Sequence, residues 1–173
     1  IDTSYEEDRD TTANDKPLFF RKAFTRTSAN LFLFMDVLEH VEDDVALLRS
    51  YVDDAEVGAT FLISVPAFQF LWSDHDEFLE HKRRYTLKEI ERVAKQAGLN
   101  VKNGSYFYAS VFPIATASRL YKKLFRRASS NHRSQLRHHN RLTNSLLGLL
   151  TQLDFLVFPH NRWVGLTAFC LAV

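Results

Sequence analysis

The sequence has few of the residues that cross-link or sharply turn a chain. Its 173 residues include one cysteine, Cys170, together with five glycines and four prolines. A single cysteine excludes an internal disulfide and suits a reducing compartment, which predicts a cytoplasmic protein. No apolar run reaches the roughly 18 residues that a membrane-spanning helix needs. No charged-then-apolar leader follows Ile1, so we expect no secretion signal.

Acidic residues are almost missing from the second half of the chain. Residues 1–91 carry 20 acids against 10 lysines and arginines, whereas residues 92–173 carry 12 lysines and arginines against one acid, Asp154. Such an uneven charge indicates an anionic partner: a phospholipid surface, a phosphorylated substrate or nucleic acid. Nucleic acid is the least expected, because no aromatic-and-basic recognition motif is present. The alternative is a solvated basic surface that offsets the acidic half.

What the chain does contain is an alternation of apolar runs with helical patterns. Strands are predicted at 18–24, 31–38 and 59–66, and the last two are apolar on both faces, as parallel strands covered by helices are. A helix at 43–54 joins these two into a βαβ unit. The fold class is therefore α/β, a largely parallel sheet flanked by helices. The remaining predicted elements are a helix at 86–98, a strand at 99–111, a helix at 141–158 and a strand at 163–173.

Two groups of polar side chains follow neighbouring predicted strands. Asp36, Glu39 and His40 come at the end of the strand at 31–38. A loop of about twenty residues follows the strand at 59–66, and this is longer than most strand-to-helix connections. Because ligands bind outside the carboxyl ends of parallel strands, we expect both groups to rim one site. The loop contributes Trp72, Asp74, His75, Asp76, His81, Arg83, Arg84 and Tyr85.

These stretches resemble a known enzyme family. The segments MDVLEHVEDD (35–44) and ISVPAFQFLWSDHDEFLEHKRRYT (63–86) are similar to the central and C-terminal part of class I S-adenosylmethionine-dependent methyltransferases. The resemblance covers roughly residues 1–110, and the HDEFLEHKRRYT signature is specific to one subgroup. It implies a Rossmann-like sheet, mostly parallel, with 18–24, 31–38 and 59–66 as its third to fifth strands. The last strand, 163–173, is implied to be antiparallel.

The same resemblance implies a domain whose beginning precedes this chain. The family's glycine-rich loop, which cradles the cofactor, is not among the 173 residues, whose five glycines are scattered. We expect the first strand and helix to precede Ile1, so that residues 1–173 form a single, N-terminally incomplete methyltransferase domain. Residues 112–162 would be a helical basic insertion before the last strand. The alternative is a non-catalytic binding protein that keeps the fold and has lost cofactor binding.

The implied reaction is methyl transfer from S-adenosylmethionine to an acceptor that is small or lipid-linked, most simply at oxygen. Asp2 and Asp36 are implied to bind the cofactor. An oxygen nucleophile needs a base, for which His75 and His81 are candidates, with Asp74 or Asp76 to orient them. The alternative for each histidine is a structural hydrogen bond within the loop. The residues expected on the substrate side are Trp72, Arg83, Arg84 and Tyr85.

A divalent metal is a further expectation for the first polar group. Asp36, Glu39 and His40 match an acid-x-x-acid-His spacing that holds a metal in two related methyltransferase groups. Two hard oxygens and an imidazole suit Mg²⁺ or Mn²⁺, with His75 or His81 as a further ligand. The alternative is that Glu39 and His40 bond the backbone of neighbouring loops.

The segment 112–127 (FPIATASRLYKKLFRR) joins an apolar body to a cationic end. That pattern predicts peripheral contact with an anionic membrane surface, which would place the protein at a membrane and near a lipid-linked acceptor. The alternative is a helix that packs its apolar face on the sheet and solvates its charges.

Overall fold

The chain forms a four-stranded mixed sheet with helices and a separate two-stranded hairpin. A computed structural model describes residues 9–13, 16–20, 28–125 and 141–173. Short 3₁₀ turns add Leu38–His40, Gln69–Leu71 and Phe158–His160. The strands and helices are β1 (Arg9–Ala13), β2 (Lys16–Phe20), β3 (Leu31–Met35), α1 (Asp44–Asp54), β4 (Thr60–Pro66), α2 (Asp74–Phe78), α3 (Leu87–Gln96), β5 (Val101–Phe107), α4 (Phe112–Phe125), α5 (Arg141–Val157) and β6 (Thr167–Ala172).

The main sheet has the strand order β3-β4-β6-β5. β3 and β4 are parallel, with Leu31 opposite Thr60 and Met35 opposite Ser64. β6 lies between β4 and β5 and is antiparallel to both, so β3, β4 and β5 share one direction. The α/β class and the antiparallel last strand are therefore confirmed. The mostly parallel arrangement is confirmed in part, because β3 and β4 are the parallel pair among the strands that the structure describes.

The first predicted strand of the sheet, 18–24, is wrong in its first residue and its partner. Lys16–Phe20 pairs antiparallel with Arg9–Ala13 in the separate hairpin, with Ala13 opposite Lys16. Residues 21–24 lie outside the described ranges. Two polar residues, Asn14 and Asp15, separate the two strands, and so short a polar connection suits an antiparallel hairpin. Pairing with this near neighbour also costs less loop entropy than pairing with a distant strand.

β3 is covered on one face, although the sequence predicts cover on both. Phe32 and Phe34 are buried, whereas Leu31, Leu33 and Met35 are 52%, 58% and 46% exposed. Alternate side chains of a strand point to opposite faces. Only one face of β3 is therefore packed by the part of the chain that the structure describes.

The core lies between that face of the sheet and helices α1 and α3. Thr86 is the N-cap of α3, and the predicted capping box is confirmed there: the Thr86 hydroxyl accepts from the Glu89 amide, and the Glu89 carboxylate accepts from the Thr86 amide. Its apolar spacing then turns one face toward the sheet. The fully buried aromatic Phe61 stacks on Phe32, with ring centroids 4.7 Å apart. The core members from these elements include Leu48, Ile63, Val65, Leu87, Ile90, Ala94, Ala168, Cys170 and Ala172.

The long connection 67–85 begins and ends at the same place on the sheet. Ala67 and Tyr85 form a parallel bridge. The Tyr85 amide donates to the Pro66 carbonyl, and the Phe68 amide donates to the Tyr85 carbonyl, both at 2.9 Å. The loop between them contains α2 and therefore projects from the carboxyl end of β4.

We expect opposite effects from alanine at two glycines. A Cβ on Gly165 would lie 2.2 Å from the Phe107 carbonyl oxygen, which is backbone. Gly165→Ala should therefore lower the free energy of unfolding by about 1–3 kcal/mol, as overpacking does. Gly148, inside α5, has nothing within 4 Å of such a Cβ. Gly148→Ala should raise stability by about 0.5–1 kcal/mol. Urea unfolding followed by circular dichroism measures both variants, and a Gly165→Ala variant as stable as the unsubstituted protein would contradict the packing at Gly165.

Candidate functional site

A cavity of about 260 Å³ lies at the carboxyl ends of β3 and β4. This is the edge of an open α/β sheet where ligands bind. The turn after β3 and the loop after β4 both line it, so the two polar groups that the sequence predicts to converge do lie together. The predicted residues that line it are Asp36, Glu39, His40, His75, His81 and Arg84.

Asp36 turns the chain abruptly out of β3. Its φ is +53°, a left-handed conformation that aspartate tolerates better than the β-branched or bulky residues around it. Its amide donates to the Ser64 carbonyl at 3.0 Å, and the Ser64 hydroxyl donates to its carboxylate at 3.2 Å. The predicted strand 31–38 therefore ends at Met35, and the 3₁₀ turn Leu38–His40 presents Glu39 and His40 to the cavity.

Asp76 is the buried centre of the loop 67–85. Its carboxylate is inaccessible to solvent and accepts from Arg84 Nε at 2.7 Å and Nη2 at 3.1 Å. It also accepts from the Ser73 amide at 2.8 Å, which caps α2, and lies 3.0 Å from His81 Nδ1. Burial alone would raise the pKa of Asp76, but the hydrogen bonds and charge of Arg84, followed by the bond from His81, hold it below 3.8. Asp76 is thus an ionised acceptor.

The ionised Asp76 fixes the tautomer of His81. Nδ1 of His81 must donate to that carboxylate, so Nε2 of the neutral ring carries the lone pair. Nε2 lies 4.0 Å from Glu39 Oε1, and the His40 ring meets the His81 ring edge-on at 4.7 Å between centroids. A histidine held this way can accept a proton or bind a cation through Nε2.

Glu39 is a buried acid whose carboxylate has no hydrogen-bond partner in the described part of the chain. It is inaccessible to solvent. Burial raises the pKa of Glu39 to about 7. A buried carboxylate in this state needs a proton or a cation.

Glu39, His40 and His81 could hold a metal ion, since their ligand atoms all lie within 4.8 Å of one another. Burial, and then the charge of His81, lower the pKa of His40, which favours the neutral imidazole that ligates metals. The predicted set differed in one member: Asp36 lines the same cavity but lies outside this group, and His81 takes its place. One oxygen and two nitrogens suit a divalent ion.

His75, the other predicted base, also lines the cavity. Its Nδ1 is buried and has no hydrogen-bond partner within the described part of the chain. Its ring is parallel to that of Phe78, with centroids 6.4 Å apart. Of the two acids predicted to orient a histidine, Asp76 contacts His81. Asp74 is an exposed residue of α2. Asp2, the predicted ribose ligand, lies outside the described residues.

Two predicted substrate-side residues are engaged elsewhere in the structure. Arg83 donates to the carbonyls of Val41 and Glu42 at 3.2 and 2.6 Å. The buried Tyr85 places its hydroxyl 2.7 Å from Asp44 Oδ2, and burial raises its pKa. These contacts join the loop to the start of α1, so both side chains have a structural role there and neither lines the cavity.

The other two predicted substrate-side residues lie in different surroundings. Arg84 lines the cavity, but its guanidinium is held by Asp76 and by the Ala67 carbonyl at 3.1 Å. Trp72 is half-buried and is not among the described residues that line the cavity.

Arg119 is a cavity residue, whereas its sequence pattern predicted only that it belongs to the basic segment 112–127. It lies on α4, lines the cavity and donates to the Leu71 carbonyl. The missed signal is helical spacing: Arg119 follows Phe112 by seven residues and therefore shares its face. Phe112 packs against Phe68, with ring centroids 5.6 Å apart, which turns that face toward the loop.

Comparison with known proteins gives a limited result. No protein-family model and no curated protein sequence matches the chain. Among solved structures, it is similar to a SAM-dependent methyltransferase from Archaeoglobus fulgidus, with 9% identity, a TM-score of 0.44 and coverage of 84% of this chain and 59% of that one. It is also similar to phosphoethanolamine N-methyltransferase 2 of Haemonchus contortus in complex with S-adenosyl-L-methionine, with 17% identity, a TM-score of 0.39 and coverage of 83% and 33%.

The chain thus spans less than two thirds of either structure.

We expect Asp76→Asn to destabilise the protein strongly. It removes the charge that Arg84 and His81 face, and breaking a buried ion pair from one side costs about 3–5 kcal/mol. Asp74→Asn is the matched control, because Asp74 is an exposed acid on the same short helix. Urea unfolding at pH 7 measures both, and equal midpoints for the two variants would contradict the central role of Asp76.

The same pair predicts a pH dependence. The folded-state pKa of Asp76 lies below its ordinary value of 3.8. Its contribution to stability is therefore complete above that value and is lost as the pH falls through the lower folded-state pKa. The stability difference between Asp74→Asn and Asp76→Asn should shrink as the pH falls below about 4.

Proposed function

We propose that the chain is part of an S-adenosylmethionine-dependent methyltransferase that methylates an oxygen of a small or lipid-linked acceptor. The observation that carries this proposal is the convergence of two motifs on one cavity. The segments 35–44 and 63–86, on which the family resemblance rests, follow adjacent parallel strands and line the same space. The order β4-β6-β5, with an antiparallel β6, also agrees with the implied closing strands.

S-adenosylmethionine supplies a methyl group already activated on a positively charged sulfur. The protein must align an acceptor oxygen with that group and exclude water. Asp36 fits the cofactor side of the cavity, because it ends β3 with its carboxylate fixed by Ser64. Asp2 stays a prediction for the ribose hydroxyls.

His81 is the best-placed group to move the acceptor's proton. Its Nε2 lone pair accepts the hydroxyl proton as the oxygen–methyl bond forms, and the carboxylate of Asp76 stabilises the resulting imidazolium. Arg84 holds that carboxylate in place through two hydrogen bonds. The proton is then released to solvent after product leaves.

A divalent cation, Mg²⁺ or Mn²⁺, fits the group formed by Glu39, His40 and His81. The two unpartnered oxygens of Glu39 are the observation that favours it. Such a cation would lower the pKa of an acceptor hydroxyl. Nε2 of His81 would then be a ligand, and His75, with its unpartnered Nδ1, would take the proton.

The cofactor assignment is tested by calorimetric titration of S-adenosylhomocysteine. The product of the complete open reading frame should bind it, and Asp36→Asn should weaken binding about tenfold, about 1.4 kcal/mol. Asp54→Asn is the control, because Asp54 is an exposed acid at the end of α1. The absence of binding by the unsubstituted protein would refute the methyltransferase proposal and favour a binding protein that has lost the cofactor. Transfer of a radioactive methyl group to an aqueous or an organic extract then separates small from lipid-linked acceptors.

The metal assignment is tested by titrating Mn²⁺ into the chelator-treated protein and following its electron paramagnetic resonance signal. We expect Glu39→Gln to weaken binding at least about tenfold, because it removes the one carboxylate ligand. Glu42→Gln should leave binding unchanged, since the Glu42 side chain is 80% exposed and pairs with Lys82. Equal Mn²⁺ affinity in the two variants would exclude this site and leave His81 as the base.

A further inference from the structure

Helix α4 contributes one basic side chain to the cavity wall. Phe112 packs against Phe68 of the loop 67–85, and Arg119, on the same helix face, lines the cavity. No helix in the described ranges is long and apolar enough to cross a bilayer, and peripheral membrane contact of the segment 112–127 stays a prediction. The place of Arg119 in the cavity is a separate feature, which the methyl-transfer proposal does not use.

The guanidinium of Arg119 is oriented by the protein but is not neutralised by it. One of its N–H groups donates to the Leu71 carbonyl, in the 3₁₀ turn that opens the loop after β4. No carboxylate in the described part of the chain forms an ion pair with Arg119, whereas Arg84 is paired with Asp76. The other guanidinium nitrogens of Arg119 have no hydrogen-bond partner there and are not among the buried unpartnered atoms. They are therefore open to a ligand in the cavity.

The charges around Arg119 favour an anion at this part of the cavity. Burial, and then the charge of Arg84, lower the pKa of Arg119, and the charge of Asp76 offsets this only in part. Asp76 already accepts hydrogen bonds from other donors. Asp36 and Glu39 line the cavity from the turn after β3, and neither acts on the pKa of Arg119. Two guanidinium groups thus share one carboxylate, and one positive charge lacks a counter-ion among the described residues.

A purely structural link between α4 and the loop does not explain an arginine at this position. The bond to the Leu71 carbonyl uses one of the five N–H groups of the guanidinium, and any long side chain with an N–H group could supply it. A charge held in a half-buried place without a partner is costly. Arginine is the residue that suits such a place when a carboxylate or a phosphate arrives, because its planar fork donates two parallel hydrogen bonds to either group.

We propose that Arg119 binds an oxyanion of the methyl acceptor, a carboxylate or a phosphate, and thereby selects an anionic acceptor. This inference rests on the proposed function, because it takes the same cavity to hold the acceptor. His81 lines that cavity too, so an acceptor held by Arg119 through its oxyanion can present a hydroxyl to Nε2 of His81. An uncharged acceptor would leave Arg119 without its counter-ion, and the arginine is therefore a specificity-determining residue.

The first test measures anion binding without methyl transfer. Inorganic phosphate is titrated into the product of the complete open reading frame and followed by its phosphorus resonance, and carbon-13-labelled acetate is titrated in the same way. We expect one of the two anions to bind, and Arg119→Gln to weaken that binding about tenfold or more, because it removes a charged hydrogen-bond donor. Arg92→Gln is the matched control, since Arg92 is an exposed arginine of α3, and it should leave binding unchanged. The anion that binds identifies the acceptor's charged group.

The second test assigns the anion to the acceptor and not to the cofactor, since S-adenosylhomocysteine carries a carboxylate of its own. In calorimetric titrations, Arg119→Gln and Arg92→Gln should bind S-adenosylhomocysteine equally. A tenfold loss in Arg119→Gln alone would overturn the proposal and make Arg119 a cofactor ligand. Failure of the unsubstituted protein to bind S-adenosylhomocysteine would refute the proposed function instead. The two failures are therefore distinguishable.

Stability measurements separate binding from a structural role. Arg119→Lys keeps the charge and a donor for the Leu71 carbonyl but loses the fork, so it should weaken anion binding several-fold with little change in urea unfolding. Two results would overturn the proposal: no binding of either anion by the unsubstituted protein, or equal anion affinity in Arg119→Gln and Arg92→Gln. Equal affinity together with a lower unfolding midpoint in Arg119→Gln would return Arg119 to a structural link. If Arg119→Gln does not fold, the comparison of Arg119→Lys with Arg92→Lys decides the question.

Discussion

The arrangement of the cavity depends on one buried carboxylate. Asp76 caps α2 through Ser73, holds Arg84 and orients His81. Removing a charge from water is costly, and this cost is offset only because every oxygen of Asp76 has a donor. The same hydrogen bonds therefore fold the loop and prepare the ring nitrogen that faces Glu39. Loop structure and site chemistry have a common origin here.

Glu39 is the opposite case. Its carboxylate is as deeply buried as that of Asp76, yet its oxygens have no hydrogen-bond partner in the described structure. A short 3₁₀ turn after the left-handed Asp36 keeps it there. A protein rarely retains such an arrangement without a ligand, a proton or a cation to complete it. The contrast between the two acids distinguishes the structural part of the site from the part that is open to a reactant.

The sequence predicted what depends on local patterns. Thr86 and Glu89 predicted the capping box, and the apolar runs predicted β3, β4 and β6 within a few residues. The antiparallel direction of β6 was implied by the family resemblance. The convergence of Glu39, His40 and His81 also followed, because parallel strands bring their carboxyl ends together.

The failures concern long-range choices that the same patterns leave open. An apolar run such as LFF at 18–20 does not specify its partner strand. Side chains such as Arg83 and Tyr85 could, from the sequence alone, either bind a substrate or hydrogen-bond to the start of α1. Arg119 was missed because the residues of a basic run look alike in the sequence, and their charge does not show which of them lies on the same helix face as Phe112.

The bridge between Ala67 and Tyr85 makes the loop 67–85 a separable unit. Its two ends leave and rejoin the sheet side by side, so the residues between them can change in number and identity without altering the path of β4 or α3. A fold built this way can exchange its reactant-facing wall while its core stays constant. Divergence among proteins that share this framework would accordingly be concentrated between these two residues, and grafting this segment would be the direct route to a new acceptor preference.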